Sequence, residues 1–439
     1  MKILFIVFTL LCPTFFIISE TIEFREGQEL FYQLATTVLV IASLAFFERE
    51  PIRKNKVNIW IGIFGIYSIL LFALSGFKLG LSIMFNIFLG ILLYFATLAL
   101  KKEDTKQIFN AMIWVCILNM LYIALQNIRL DFIFMIKGEH GVVEPINKDT
   151  MGFMGIKAAL GIYMALGAIA IMFFHPWLAL ALLFPIYLSQ STGAVAGAFS
   201  GVLCYFWWMK RKVFKILLPI LIVGGIAYVV FVDSPTGMLG TRSPMWKLAM
   251  KDAFYGFNLH AGQLQSPYLR NPFTGFGLGA FREGPILYFK EFDTNITLRA
   301  IKTPQGLVDV AGNRFKMKDG YLYTPYDKRV DWWDDPHNEF VHLFYDFGLF
   351  GVIIIGFILY YLTMRFRNSV KSKELIVITS MLVVIGVTSL TQFPMHLARL
   401  GYLMPILLGL FVIHTEDYGE NKNKLRQSGQ PDRRELHFA

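Results

Sequence analysis

Twelve apolar runs limit what this chain can fold into, because most are long enough to span a hydrocarbon core and carry few charges to hold them in water. They lie near 3–19, 29–47, 57–76, 80–100, 108–126, 157–174, 177–190, 192–209, 213–232, 338–364, 375–393 and 399–414, with 177–190 the shortest. A composition that is 55% hydrophobic and 16% charged agrees, and excludes an ordinary soluble domain. The expected fold is an all-α polytopic membrane protein of about 12 transmembrane helices, with one large loop outside the membrane that contains short helices.

Lysine and arginine set the orientation, since they concentrate in cytoplasmic loops. Arg49, Arg53, Lys54 and Lys56; Lys101, Lys102 and Lys106; Lys210, Arg211, Lys212 and Lys215; and Arg365, Arg367, Lys371 and Lys373 occupy alternate loops. Together with Lys422, Lys424, Arg426, Arg433 and Arg434 they fall on one side when twelve spans are counted, so both termini are expected in the cytoplasm. The net charge of +10 is thereby explained without nucleic acid. The first run lacks a small-x-small cleavage site and is expected to stay as a span. Cys12, Cys116 and Cys204 lie inside spans and read as small apolar residues, not as a disulfide framework or metal site. The chain thus divides into spans 1 to 9 (1–232), the large outer loop (233–336), spans 10 to 12 (337–414) and a polar cytoplasmic tail (415–439), expected to be disordered.

Function is expected in the large loop, where long ordered connections on a rigid scaffold usually carry it. Ser243 and Pro244 read as the N-cap and first residue of a helix running to about Tyr255. Asn271-Pro272-Phe273-Thr274-Gly275-Phe276-Gly277-Leu278-Gly279 follows, with glycines that let the backbone approach a ligand or another helix closely. Arg242, just before the helix start, and Arg270, before the glycine-rich turn, are the leading anion-binding candidates among the loop arginines, because a guanidinium is a permanent cation with a fork matched to phosphate oxygens. Trp332 and Trp333 read either as an interfacial belt or as platforms for a sugar ring, and Lys157 either as a snorkelling residue or as part of an anion pocket.

Asp334-Asp335-Pro336-His337-Asn338 joins this loop to the tenth run. Asp335 reads as the N-cap, Pro336 as the first helical residue and His337 as part of the first turn. At 100° per residue, Gly348 and Gly351 fall within roughly 40° of the His337 direction, which predicts a face that another helix can approach. His337 either packs at an interface or acts as an acid-base group. Backbone N–H groups at the helix start favour a neutral imidazole, whereas Asp334 and Asp335 favour the charged one. The two carboxylates read as helix-start anions in preference to metal ligands, so no metal or other cofactor is expected.

His337-Asn338, followed after nine residues by Gly348-Leu349-Phe350-Gly351, resembles the signature of the O-antigen ligase and O-antigen polymerase superfamily. Arg242 with Trp246, the Asn271 to Gly279 segment, Gly152-Phe153-Met154-Gly155 and the twelve-span layout support the resemblance from about Thr150 to Ile413. Ser191-Thr192-Gly193-Ala194 departs from the Ser-Arg-x-Ala that ligases commonly carry, and Gly155-Ile156-Lys157-Ala158 departs from Gly-Asn-Pro-Asn. The resemblance implies a metal-independent, inverting glycosyltransferase of the bacterial inner membrane with its site facing the periplasm. The donor would be an undecaprenyl-diphosphate-linked glycan and the acceptor lipid A-core or another glycan. His337 would be the catalytic base and Arg242 the diphosphate partner. Arg270, Asn338, Lys157, Trp332 and Trp333 would contact substrate, while Asp335, Gly348 and Gly351 would be structural. Polysaccharide polymerase, protein O-oligosaccharyltransferase and, from a different class, a lipid or glycan transporter stay open as alternatives.

Overall fold

The computed structural model describes residues 1–14, 24–46, 55–75, 80–128, 135–137, 143–145, 157–215, 218, 246–247, 249–250, 272–278, 286–291, 294–303, 306–309, 316–318, 321–323, 329–333, 338–392 and 398–415; for the strands and for 24–29, 44–46, 75, 157 and 398–399 this covers secondary structure alone. The apolar runs that fall among these residues are helical: α1 (Lys2–Thr14), α2 (Phe24–Phe46), α3 (Lys56–Ser75), α4 (Gly80–Thr97), α5 (Thr105–Asn127), α6 (Lys157–Phe174), α7 (Leu183–Leu188), α8 (Thr192–Met209), α9 (Glu339–Asn368), α10 (Lys373–Thr388), α11 (Ala398–Gly401) and α12 (Leu403–Thr415). The run expected at 213–232 lies almost wholly outside the described residues. The segments Lys56–Leu74, Gly80–Thr97, Lys102–Asn127, Thr192–Met209 and Glu339–Asn368 are long and apolar enough to cross a membrane. The chain is a membrane protein.

The run at 177–190 is broken. A 3-10 helix (Pro176–Leu182) passes into α7, and the segment stops at Gln190, whose φ of 49° is left-handed. Pro185 has no N–H for the α-type bond back to residue 181, so the regular ladder is interrupted where the 3-10 turns meet α7.

Basic residues gather at one end of the bundle. Lys106, at the start of α5, lies 3.8 Å from Glu374 at the start of α10, and Lys106 and Lys373 both stand over the Phe173 ring near the end of α6. At the end of α9, Arg365 donates to Thr415 Oγ1 and the Val412 carbonyl of α12, while Lys371 covers Trp208 of α8. Lys56 of α3 stands over Tyr361 of α9.

The starts of α6, α8 and α9 therefore meet at the opposite end, with the end of α10. Close backbone approach makes this possible. A Cβ on Gly161 would meet Ser189 and, at 2.8 Å, the Ala194 methyl; one on Gly193 would meet Thr391 Oγ1. Along α8, Gly193, Gly197 and Gly201 recur every four residues and so share one face. Gly197 allows Val384 O within 3.1 Å of the place a Cβ would occupy, and Gly201 allows Ser380 O equally close. Side chains of α10 thus reach the backbone of α8, and that contact fixes the level at which the two helices end.

The large loop differs from expectation. In place of short helices alone, its described residues include β3 (Ile286–Glu291), β4 (Thr294–Thr303), β5 (Gly306–Asp309), β6 (Lys316–Lys318), β7 (Tyr321–Tyr323) and β8 (Arg329–Trp333), which form an antiparallel sheet in the order β5-β4-β3-β8-β7-β6. A second, two-stranded pairing joins β1 (Met135–Lys137) and β2 (Val143–Pro145). Ile296, Leu298 and Ala300 alternate with Thr297 and Arg299, the period of a strand and not of a helix. The helix expected from Ser243 is met where described, since residues 246–247 and 249–250 are helical and Ala249 is fully buried. All-α therefore holds for the membrane part and not for the loop.

Candidate functional site

The start of α9 is capped by Asn338, not by Asp335. Asn338 has extended geometry (φ −157°, ψ 112°), so the helix cannot continue through it towards Pro336. Its Oδ1 accepts from the N–H groups of Phe340 and Val341, both at 3.0 Å, and its Nδ2 donates to the Leu390 carbonyl at 2.7 Å. The Glu339 N–H donates to the Ser389 carbonyl at 2.9 Å, and the His342 N–H to the Asn338 carbonyl at 3.0 Å. The N–H groups of residues 339–342 are thus engaged, which withdraws these four donors from an anion. The deciding contact, from Asn338 to the end of α10, is tertiary.

Ten residues beyond Asn338 the helix is interrupted. Gly348 has φ 63° and ψ −167°, a conformation essentially restricted to glycine. A straight helix would join Leu349 N–H to the Tyr345 carbonyl and Phe350 N–H to that of Asp346. Here the 272–278 segment takes both places. Leu349 N–H donates to Pro272 O (2.8 Å) and Phe350 N–H to Phe273 O (3.0 Å), while the Tyr345 and Asp346 carbonyls accept from Phe276 N–H (2.9 Å) and Gly277 N–H (3.0 Å). The Phe347 carbonyl accepts from the Tyr67 hydroxyl of α3 at 2.8 Å. Every backbone group released by the break on these residues finds a replacement.

Glycine is needed on both sides of this junction. Gly275 and Gly277 have φ of 73° and 96°. A Cβ on Gly275 would stand 2.6 Å from the Asp346 carbonyl oxygen, and one on Gly348 2.5 Å from that of Phe273. Apolar contacts complete the insertion: Phe276 stacks on Tyr345 with centroids 4.6 Å apart, and Leu278 packs with Leu71, Ile83 and Phe347. The expected close approach at Gly348 is thus made by a loop segment and not by another helix. Gly351 accommodates the Phe347 side chain. The angular alignment expected from His337 through to these glycines does not apply, because the helix is not continuous across Gly348.

Between cap and break lie Glu339, His342 and Asp346, buried ionisable side chains that sequence reasoning did not assign to the site. His342 Nε2 is 3.3 Å from Asp346 Oδ2, and each side chain is 2% exposed. The contact is an ion pair when the imidazole is doubly protonated, and its geometry falls short of an aligned hydrogen bond. The signal was present as a His and an Asp four residues apart in an apolar run, hence one above the other on a helix. Around them this end of the bundle is unusually polar for a buried region: Ser189, Ser191, Asn338, Glu339, Thr388, Ser389 and Gln392 are all buried.

The other expected site residues are distributed as follows. Lys157 is the first residue of α6, at the polar end, and Trp332 and Trp333 close strand β8, in register with Leu287 and Ile286 of β3. His337, Arg242, Arg270 and Asp335 lie outside the described residues. Among the described residues no group of three His, Cys, Asp or Glu side chains gathers as a metal site would.

No curated protein matches the chain. Residues 177–356 match the family model described as O-antigen ligase, a segment running from the 3-10 turns before α7 to just beyond the break in α9. Over that segment the chain is similar to the O-antigen ligase family.

Proposed function

We propose that this protein works in the bacterial inner membrane, transferring a glycan from undecaprenyl diphosphate to an acceptor hydroxyl, with lipid A-core as the acceptor. The observation that carries this reading is the construction of the helix start after His337-Asn338. It lies within the matched segment, at the bundle end away from the basic clusters, and is locked by the glycine-rich insertion at Gly348. By the charge rule the basic end faces the cytoplasm and the polar end the periplasm. From Leu349 to Asn368 the helix is about 30 Å long at 1.5 Å per residue, the thickness of a hydrocarbon core. The Asn338–Gly348 segment then stands at the outer membrane boundary, where a polyprenyl diphosphate presents its headgroup.

In this mechanism His337 takes the proton of the acceptor hydroxyl as that oxygen attacks the anomeric carbon, the bond from that carbon to the diphosphate oxygen breaks, and the configuration inverts. The leaving diphosphate carries the departing charge. The first-turn N–H groups of α9 are already engaged, so neutralisation falls to side-chain cations. Arg242 serves first, with Arg270 and Lys157 in support, and no metal takes part. Both functional groups of the Asn338 amide are engaged by the helix and by Leu390, so Asn338 fixes the turn beside His337. Trp332 and Trp333 offer apolar faces to the sugar rings.

Purified protein with a lipid-linked glycan and acceptor tests these roles. His337→Ala and Arg242→Ala are expected to abolish transfer, and full activity in both would overturn the assignment. Activity is expected to survive exhaustive chelation; a loss restored by a divalent ion would overturn the metal-free mechanism. Thr192, at the position where ligases commonly carry arginine, favours polymerase as the second reading. A deletion strain separates the two: loss of all O-chains from lipid A-core supports ligase, a single-unit cap supports polymerase.

A further inference from the structure

We infer that the buried His342–Asp346 pair is a positioning element of the transfer reaction, holding the short helical segment between Asn338 and Gly348 in one setting so that His337 is presented from a fixed turn. The inference rests on the proposed role of His337.

Three observations support it. The segment from Glu339 to Phe347 is too short to be stable alone and depends on contacts outside itself. Those contacts are made at its two ends: the cap turn is tied to α10 through Leu390 and Ser389, and the last turn to the inserted segment through Phe276 and Gly277. His342 and Asp346 join these ends. The His342 N–H donates to the Asn338 carbonyl in the cap turn, the Asp346 carbonyl accepts from Gly277, and the two side chains meet at 3.3 Å.

Burial adds a further reason. Two leucines would fill the same positions without removing a carboxylate and an imidazole from water, and a buried ionic pair is a weak source of stability compared with apolar packing. Ionisable groups inside a membrane protein therefore point to function first. Here the polar contact acts within the one segment of α9 that adjoins His337. The remainder of that helix, from Leu349 to Asn368, continues from it across the glycine break.

The test is steady-state kinetics on purified protein, normalised to folded protein by size-exclusion profile. His342→Leu is expected to lower kcat by about 10- to 100-fold, as a small misplacement of a reacting group does, with KM for the lipid-linked donor changed less than about twofold. His342→Gln, which keeps a polar contact to Asp346, is expected to recover most of kcat. The double variant His342→Leu/Asp346→Leu is expected to be no slower than the worse single variant, because the two side chains act as one unit. If His342→Leu fails to fold, the near-isosteric Asp346→Asn supplies the same comparison. Unchanged kcat in His342→Leu and Asp346→Asn, a loss carried by KM, or multiplicative losses in the double variant would overturn the inference. His337→Ala is measured in parallel. If it is inactive while the pair variants are normal, only the positioning role fails; if it is fully active, the base assignment fails.

Discussion

Replacing Gly348 with alanine attacks the junction that organises the proposed site, and its cost can be worked from the geometry. At φ 63° and ψ −167° an alanine is strained by about 1 to 3 kcal/mol. Its Cβ would stand 2.5 Å from the Phe273 carbonyl oxygen and 2.6 Å from the Thr274 carbonyl carbon, both backbone atoms that no rotamer change can move. The inserted segment must withdraw, giving up the four hydrogen bonds of Leu349, Phe350, Phe276 and Gly277, each worth about 1 kcal/mol net. A total loss of about 5 to 7 kcal/mol is expected. Gly356 supplies the control, because it lies in the same helix with no atom within 4 Å of an added Cβ. Gly356→Ala should be neutral or stabilise by up to about 1 kcal/mol. Reversible unfolding in mixed micelles, followed by tryptophan fluorescence, measures both. Gly275→Ala should resemble Gly348→Ala, and the double variant should cost little more than either alone, because the segment is already displaced. Equal stability of Gly348→Ala and Gly356→Ala would refute the reasoning, as would additive losses at 275 and 348.

Asn338→Ala removes the cap, worth about 1 kcal/mol, and leaves the Leu390 carbonyl without this donor, for a further 1 to 3 kcal/mol or about that; Asn338→Ser keeps the cap acceptor and should lose about half as much in the same unfolding assay. Tyr67→Phe keeps the ring and removes the donor to the Phe347 carbonyl, so a loss of about 1 to 2 kcal/mol is expected, and no change would show that this carbonyl finds another donor. Gly197→Val should separate α8 from α10, whose Thr388 methyl lies 2.6 Å from the position of an added Cβ. The expected result is a loss of about 1 to 3 kcal/mol or more from overpacking, with Gly386→Val, in open space on α10, as the harmless comparison.

The membrane helices were legible because their signal is local and redundant. Runs predicted at 157–174 and 192–209 match α6 and α8, since a continuous apolar stretch must satisfy its backbone internally whatever its neighbours are. The sheet in the large loop was also written in the chain and missed. Asp319-Gly320, between Lys316-Met317-Lys318 and Tyr321-Leu322-Tyr323, is a strong two-residue hairpin signal, and β6 and β7 pair across it with Lys318 opposite Tyr321.

The candidate site divides in the same way. The sequence by itself determined that the chain crosses a membrane, that its basic loops share one side, that Asn271–Gly279 is built for close approach, and that a His-Asn pair stands at a helix start followed by Gly-x-x-Gly. Only the tertiary structure decided that Asn338 is the cap, because its amide is completed by Leu390, fifty-two residues away. Only it decided that Gly348 breaks the helix, because the groups that replace the lost rungs come from Pro272, Phe273, Phe276 and Gly277. The pairing of His342 with Asp346 was available as a spacing, but its burial was not. The physical reason is common: a helix start and a helix break leave backbone groups whose partners lie far along the chain, and the burial of His342 and Asp346, though they are four residues apart, depends on what packs around them; both exist only once the bundle has assembled.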